Sequence, residues 1–95
     1  MTNGEIILRE SIRLMEKGEL KGIKFGEEIM PEPIHTYAKW KELGRQVKKG
    51  EKSKIKFCIW KYVTKKNKDG ENDDKMFMKL SSFFKYEQTE PIKNQ

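Results

Sequence analysis

Thr36 to Lys66, TYAKWKELGRQVKKGEKSKIKFCIWKYVTKK, is the stretch whose reading decides the fold. It divides into a helical third, a Lys-Gly-Glu turn and a strand. Thr36 is placed to cap a second short helix over 36–49, with Tyr37, Trp40, Leu43 or Gly44, and Val47 at spacings of three and four on its core side. Lys39, Lys41, Arg45 and Lys49 fall on the other side. Lys48-Lys-Gly-Glu-Lys52 is a turn in which Gly50 can take a positive φ without a Cβ penalty. From Lys54 to Thr64 the pattern changes to period two, the strand signal. Ile55, Phe57, Ile59 and Val63 form the predicted core face, and Lys54, Lys56, Cys58, Trp60 and Tyr62 the other face.

The same stretch carries the charge. Eleven Lys/Arg stand against two Glu, a local +9, while the other residues, ten basic and thirteen acidic, sum to −3. The net +6 is therefore a concentrated field, and a cationic field interleaved with aromatic rings suits a polyanion with exposed bases. Lysines would meet phosphates and rings would stack on bases. Trp60 also fits ordinary core, with one of the helices laid over its face, so periodicity leaves both roles open.

Working outward, Lys65–Asp74 reads as a polar hairpin loop around Asp69-Gly70. It lacks the ligand pattern of a calcium loop, and no metal is expected. Lys75–Tyr86 is the return strand. Met76, Met78 and Leu80 are assigned to the core face, and Phe77 and Lys79 to the face of Trp60 and Tyr62. After Ser81-Ser82, the pair Phe83-Phe84 makes both faces apolar, which fits either burial on both sides or a bulge. Residues 87–95 read as a tail.

Upstream, residues 1–18 read as a helix. Thr2 and Glu5 have capping-box spacing, Leu8, Ile12 and Met15 form a stripe, and Gly18 follows the last turn. Residues 19–35 read as a connector in which Gly22–Phe25 can form a short strand. Pro33 holds Glu32 extended, and Glu27, Glu28 and Glu32 are expected to lie away from the basic surface. His35, beside the helix cap, is expected to cap or to be buried. The 95 residues therefore predict one domain of the α+β class: an N-terminal helix and a second short helix packed on a small antiparallel sheet with a C-terminal β-hairpin.

The remaining totals exclude several classes. One Cys and one His cannot make a usual zinc set, and no nucleophile–base pair or Gly-rich phosphate loop is present. No enzyme and no cofactor are expected. No apolar run approaches the roughly 20 residues that span a bilayer, and the N-terminus lacks the features of a signal peptide. A cytoplasmic protein with no membrane partner is expected.

Several motifs resemble the single-stranded-DNA-binding domain at the N-terminus of ArdC-type antirestriction proteins. They are Thr36-Tyr37, Lys41-Glu-Leu-Gly44, Gln46-Val-Lys-Lys-Gly-Glu-Lys52, Lys56-Phe-Cys-Ile-Trp60 and the closing Phe84-Lys-Tyr-Glu-Gln-Thr89. The resemblance covers roughly residues 34–92 and is similar to a short, stand-alone branch carried by phages and mobile elements. Lys85 stands where the family usually has asparagine. The zinc-metallopeptidase part of larger members has no counterpart here, so no protease role is expected. The resemblance implies a small α+β domain that binds single-stranded DNA without strong sequence preference.

From the charge and rings, the expected nucleic-acid contacts are Lys39, Arg45, Lys48, Lys49, Lys52, Lys54, Lys56, Trp60, Tyr62, Phe77 and Lys79. The alternative partner is an acidic protein, such as a host defence nuclease, held by the basic face. Sequence-specific duplex readout is disfavoured, because no recognition-helix motif appears.

Overall fold

The computed structural model describes residues 1–93. The chain runs α1 (Asn3–Glu16), β1 (Gly22–Phe25), β2 (Glu28–Pro31), β3 (Ile34–His35), α2 (Tyr37–Glu42), β4 (Arg45–Val47), β5 (Ile55–Lys66), β6 (Asn72–Lys85), a 3-10 turn (Tyr86–Gln88) and β7 (Thr89–Pro91). The fold is α+β, as expected. Three small antiparallel sheets form, in the orders β1-β2, β3-β6-β5 and β4-β7.

α1 begins at the Thr2–Glu5 capping box, with both reciprocal bonds present. It buries Ser11 and Leu14 and brings Ile6, Ile7 and Met15 against the core. Asn3, in its first turn, holds the outer edge of β5: Oδ1 accepts from the Trp60 N–H at 2.7 Å and Nδ2 donates to the Trp60 carbonyl at 2.9 Å. One side chain thus satisfies a donor and an acceptor that the edge strand would otherwise present to water.

The core is Leu14, Leu20, Ile34, Ile55, Phe57, Ile59 and Phe83, with the Phe57 and Phe83 rings stacked at 4.1 Å. Phe83 is fully buried. The β5–β6 ladder runs without interruption from Ile55 opposite Phe83 to Lys66 opposite Asn72, so the Ser81–Phe84 segment has no bulge. Phe84 instead pairs with His35 of β3. The hairpin turn is shorter than the expected 65–74 loop. Asn67 closes it by accepting from the Asp69 and Glu71 N–H groups on its side-chain oxygen.

Three expectations are corrected. First, residues 19–35 are more than a connector: the short strand expected at Gly22–Phe25 is present as β1, and β2 and β3 follow it. Gly22 is needed there, because a Cβ would stand 2.6 Å from Ile29 Cγ2. Glu32 is buried and accepts from the Lys21 N–H, so it belongs to the body of the domain. Second, the helix expected over 36–49 ends at Glu42. Thr36 caps it as predicted, but Gly44 takes φ +84° and turns the chain, so Arg45–Val47 become extended and pair with β7. Of the predicted stripe only Trp40 is buried; Tyr37 and Leu43 are exposed. Third, the tail expected over 87–95 contributes the 3-10 turn and β7, and its last two residues lie outside the described residues.

Core packing ends near Ile59, beyond which the β5–β6 hairpin continues as an arm. The radius of gyration is 16.4 Å, against about 12 Å for a compact chain of this length.

Candidate nucleic-acid interface

The basic turn is built against the 3-10 turn by a single glutamine. The Gln88 carbonyl accepts from the Lys48 N–H at 2.9 Å, its Nε2 donates to the Lys52 carbonyl at 3.0 Å, and its Oε1 accepts from the Lys85 N–H at 2.9 Å. Gly50, at φ +88°, allows the intervening reversal, closed by the Glu51 N–H on the Lys48 carbonyl. Ser53 then ties the start of β5 to β6 by donating to the Phe83 carbonyl. Lys48, Lys49, Lys52 and Lys54 are all exposed on this ledge. Lys54 and Lys85 share a small cleft with Glu51, Ile55, Glu87 and Gln88.

Next to the ledge lies an aromatic ring that the sequence reading passed over. Tyr86 is 55% exposed, and the Arg45 guanidinium sits 4.0 Å from its ring centroid. Arg45 is itself tied down: Nε donates to Thr89 Oγ1 at 2.8 Å and Nη2 to the Thr89 carbonyl at 3.0 Å. Thr89, almost fully buried, donates in turn to the Tyr86 carbonyl. Two of the five guanidinium donors are thus committed to Thr89, and Arg45 acts first by positioning Tyr86. A similar pairing occurs on α2, where Lys41 lies 6.0 Å from the exposed Tyr37 ring.

The other predicted residues are distributed differently. Lys39 pairs with Glu42 at 3.4 Å and lines an apolar cleft between α1 and the β2–β3 segment, with His35 and Ile59. His35 is half-buried with its ring edge-on to Trp40 at 4.7 Å; burial, then the Lys39 charge, lowers its pKa below the ordinary 6.5. Lys56 is exposed on β5 and shares a face with Cys58, Trp60 and Tyr62, as the alternation predicted. Phe77 and Lys79 do not join them. The register places Phe77 opposite Lys61 and Lys79 opposite Ile59, on the reverse face of the hairpin. The residues that do stand beside Trp60 and Tyr62 are Met78 and Met76. The cause is parity: residues directly opposite in a ladder share a face, so a one-residue shift in assumed register exchanges the two sets.

Lys85, Tyr86 and Gln88 are the residues of this candidate site that sequence reasoning missed. Their signal was present in the Phe84–Thr89 motif, but only the fold brings that segment against the Lys48–Lys52 turn, some forty residues away.

The fold and ledge define a small α+β domain with an exposed cationic edge; no helix among the described residues is long and apolar enough to cross a membrane. The sequence model of the family described as the N-terminal domain of anti-restriction factor ArdC matches residues 31–89, which is 59 of the 95. The chain belongs to that family, and membership ties it to anti-restriction. The match includes α2, the β5–β6 hairpin and every residue of the Gln88 ledge, and leaves out α1 and β1. No curated protein and no solved structure shows a match.

Proposed function

We propose that this domain is a non-enzymatic, sequence-tolerant single-stranded-DNA-binding module that serves anti-restriction through contact with the DNA strand. Lys48, Lys49, Lys52, Lys54 and Lys85 take phosphates, and Tyr86 offers its ring to a base. The observation that carries the reading is the Gln88 tie, which fixes exposed lysines on one ledge beside an exposed, cation-backed tyrosine. Pre-placed cations lower the ordering cost of binding, and base–aromatic stacking tolerates any base.

Fluorescence anisotropy with a labelled single-stranded 20-mer, compared with duplex, tests it. Five neutralised phosphates give a log–log salt slope near −3.5, or about a hundredfold loss between 50 and 200 mM salt. Tyr86→Ala is expected to lose about 1–3 kcal/mol of affinity while Tyr86→Phe retains it. Absence of single-strand binding at low salt overturns the function. Unchanged binding by a folded Tyr86→Ala protein overturns the stacking role.

A further inference from the structure

The arm carries a second surface of different character. On the β5–β6 face that includes Trp60, the register sets three apolar rows side by side: Cys58 opposite Leu80, Trp60 opposite Met78, and Tyr62 opposite Met76. Tyr62 is 65% exposed, Met76 62%, Leu80 60% and Met78 45%. Met1, 63% exposed, borders the stripe beside Trp60 and Tyr62, and Ile6, Arg9 and Glu10 of α1 flank the Trp60–Met78 row on one side. Together Tyr62, Met76, Met78, Leu80 and Met1 expose about 500 Å², near the upper end of what monomeric proteins leave as one apolar patch. Base stacking calls for flat rings among cations, whereas thioethers and a leucine are shape-filling groups of protein contacts.

The ends of the stripe are polar and opposite in sign. At the base is the row Lys56–Ser82; at the tip is the row Thr64–Asp74. Trp60–Met78 is the middle row, equidistant from both. A two-fold axis across the strands at that row lays apolar rows on apolar rows and brings Lys56 of each copy over the Thr64–Asp74 row of the other. A two-fold interface requires just such a self-complementary patch. Beyond the stripe, the roughly 30° angle between packed sheets splays Lys66 away from the other copy's Lys54.

We infer that the Trp60 face of the arm docks a second copy of this chain, face to face and antiparallel. Two such patches bury about 1,000 Å² in all, the lower bound for a specific interface, so the dimer is a weak, concentration-dependent one. The Gln88 ledges lie outside the stripe and stay open in both copies. The inference does not rest on DNA binding.

Sedimentation velocity of the intact chain, without DNA and over a wide concentration range, is the test. The expected result is a mass rising from 11.3 kDa toward twice that value. Met78→Glu should hold it at monomer mass with an unchanged circular-dichroism spectrum. Lys56→Glu and Asp74→Lys each change an exposed residue and should each weaken association. The double substitution, which reverses the pairing, should recover it. A wild-type chain that is monomeric throughout, a Met78→Glu chain that associates normally, or a double variant no better than the singles overturns the inference.

Discussion

Gln88→Ala is the substitution that most directly probes how the basic turn is held. Alanine keeps the backbone carbonyl that accepts from Lys48 but removes the amide that donates to the Lys52 carbonyl and accepts from the Lys85 N–H. Each bond contributes about 1 kcal/mol net, and the Lys85 donor is left without its partner in a half-buried setting, so the expected loss is about 2 kcal/mol. At about 4–8 °C per kcal/mol for a domain of this size, Tm should fall by roughly 8–16 °C. Thermal unfolding followed by circular dichroism reads the drop. Native-state hydrogen exchange should also show the amides of the Lys48–Lys52 turn opening faster, with those of Phe57 and Ile59 shifted only by the global loss. Gln88→Glu keeps the acceptor for Lys85 but sets a carboxylate against the Lys52 carbonyl, so it should recover half the loss at most. If Gln88→Ala melts within about 1 °C of wild type, the tie is incidental and the ledge is held by β4–β7 pairing alone.

Three further substitutions follow from the geometry. Asn3→Ala removes both bonds on the Trp60 edge and should cost about 1–2 kcal/mol in urea unfolding, with faster exchange of the Trp60 amide. Gly44→Ala meets no atom within 4 Å, so its cost, about 1–2 kcal/mol by denaturant midpoint, comes from φ +84° alone. For His35 the native pKa lies below 6.5, so the unfolded chain binds the proton more readily. Stability is therefore full above that value and declines as pH falls through it toward the lowered native pKa. His35→Phe should flatten Tm over the range from neutrality to about pH 5. The capping carboxylate of Glu5, also held below its ordinary value by Thr2, acts only at more acid pH.

What could be read in the chain beforehand was whatever local chemistry specifies. The Thr2–Glu5 box, the Thr36 cap and the Ile55–Phe57–Ile59 core face each depend on residues within a few positions of one another, and each is present. One local reading fails, since Leu8 and Ile12 of the expected α1 stripe are exposed and Leu14 is buried instead; the other failures are non-local. Arg45–Val47 carry no strand signal of their own; they are extended because β7, over forty residues on, offers a ladder and Gly44 has already ended the helix. Tyr37 looked like core by spacing, yet a helix that stops at Glu42 is too short to need a stripe, and Trp40 alone anchors it through its indole N–H on the Phe84 carbonyl. The site divides in the same way. The lysines of the turn were legible because charge is visible in sequence, whereas Tyr86 and Gln88 matter only through what they touch.

The misassigned face of β6 carries a more general point. Methionines and a leucine at alternate positions form an apolar face by every local criterion, and assigning them inward follows from that criterion. Which face turns inward is decided by one anchor, Phe83, which is fully buried and sits opposite Ile55. Once that pair is set, every residue of like parity up the strand is committed, and Met76, Met78 and Leu80 are turned to the face opposite Ile55, Phe57 and Ile59. Inside the monomer this face meets the start of α1, where Met1 and Ile6 border Met78 and Met1 borders Met76. Residues that only filled space on a solvated arm would not need to be large and apolar in three successive rows and then give way to Lys56 at one end and Asp74 at the other. An alternation that ends in opposite charges at equal distances from its middle is the pattern a surface needs to recognise its own inverted image. That is why the position of one phenylalanine bears on whether this domain works alone or in pairs.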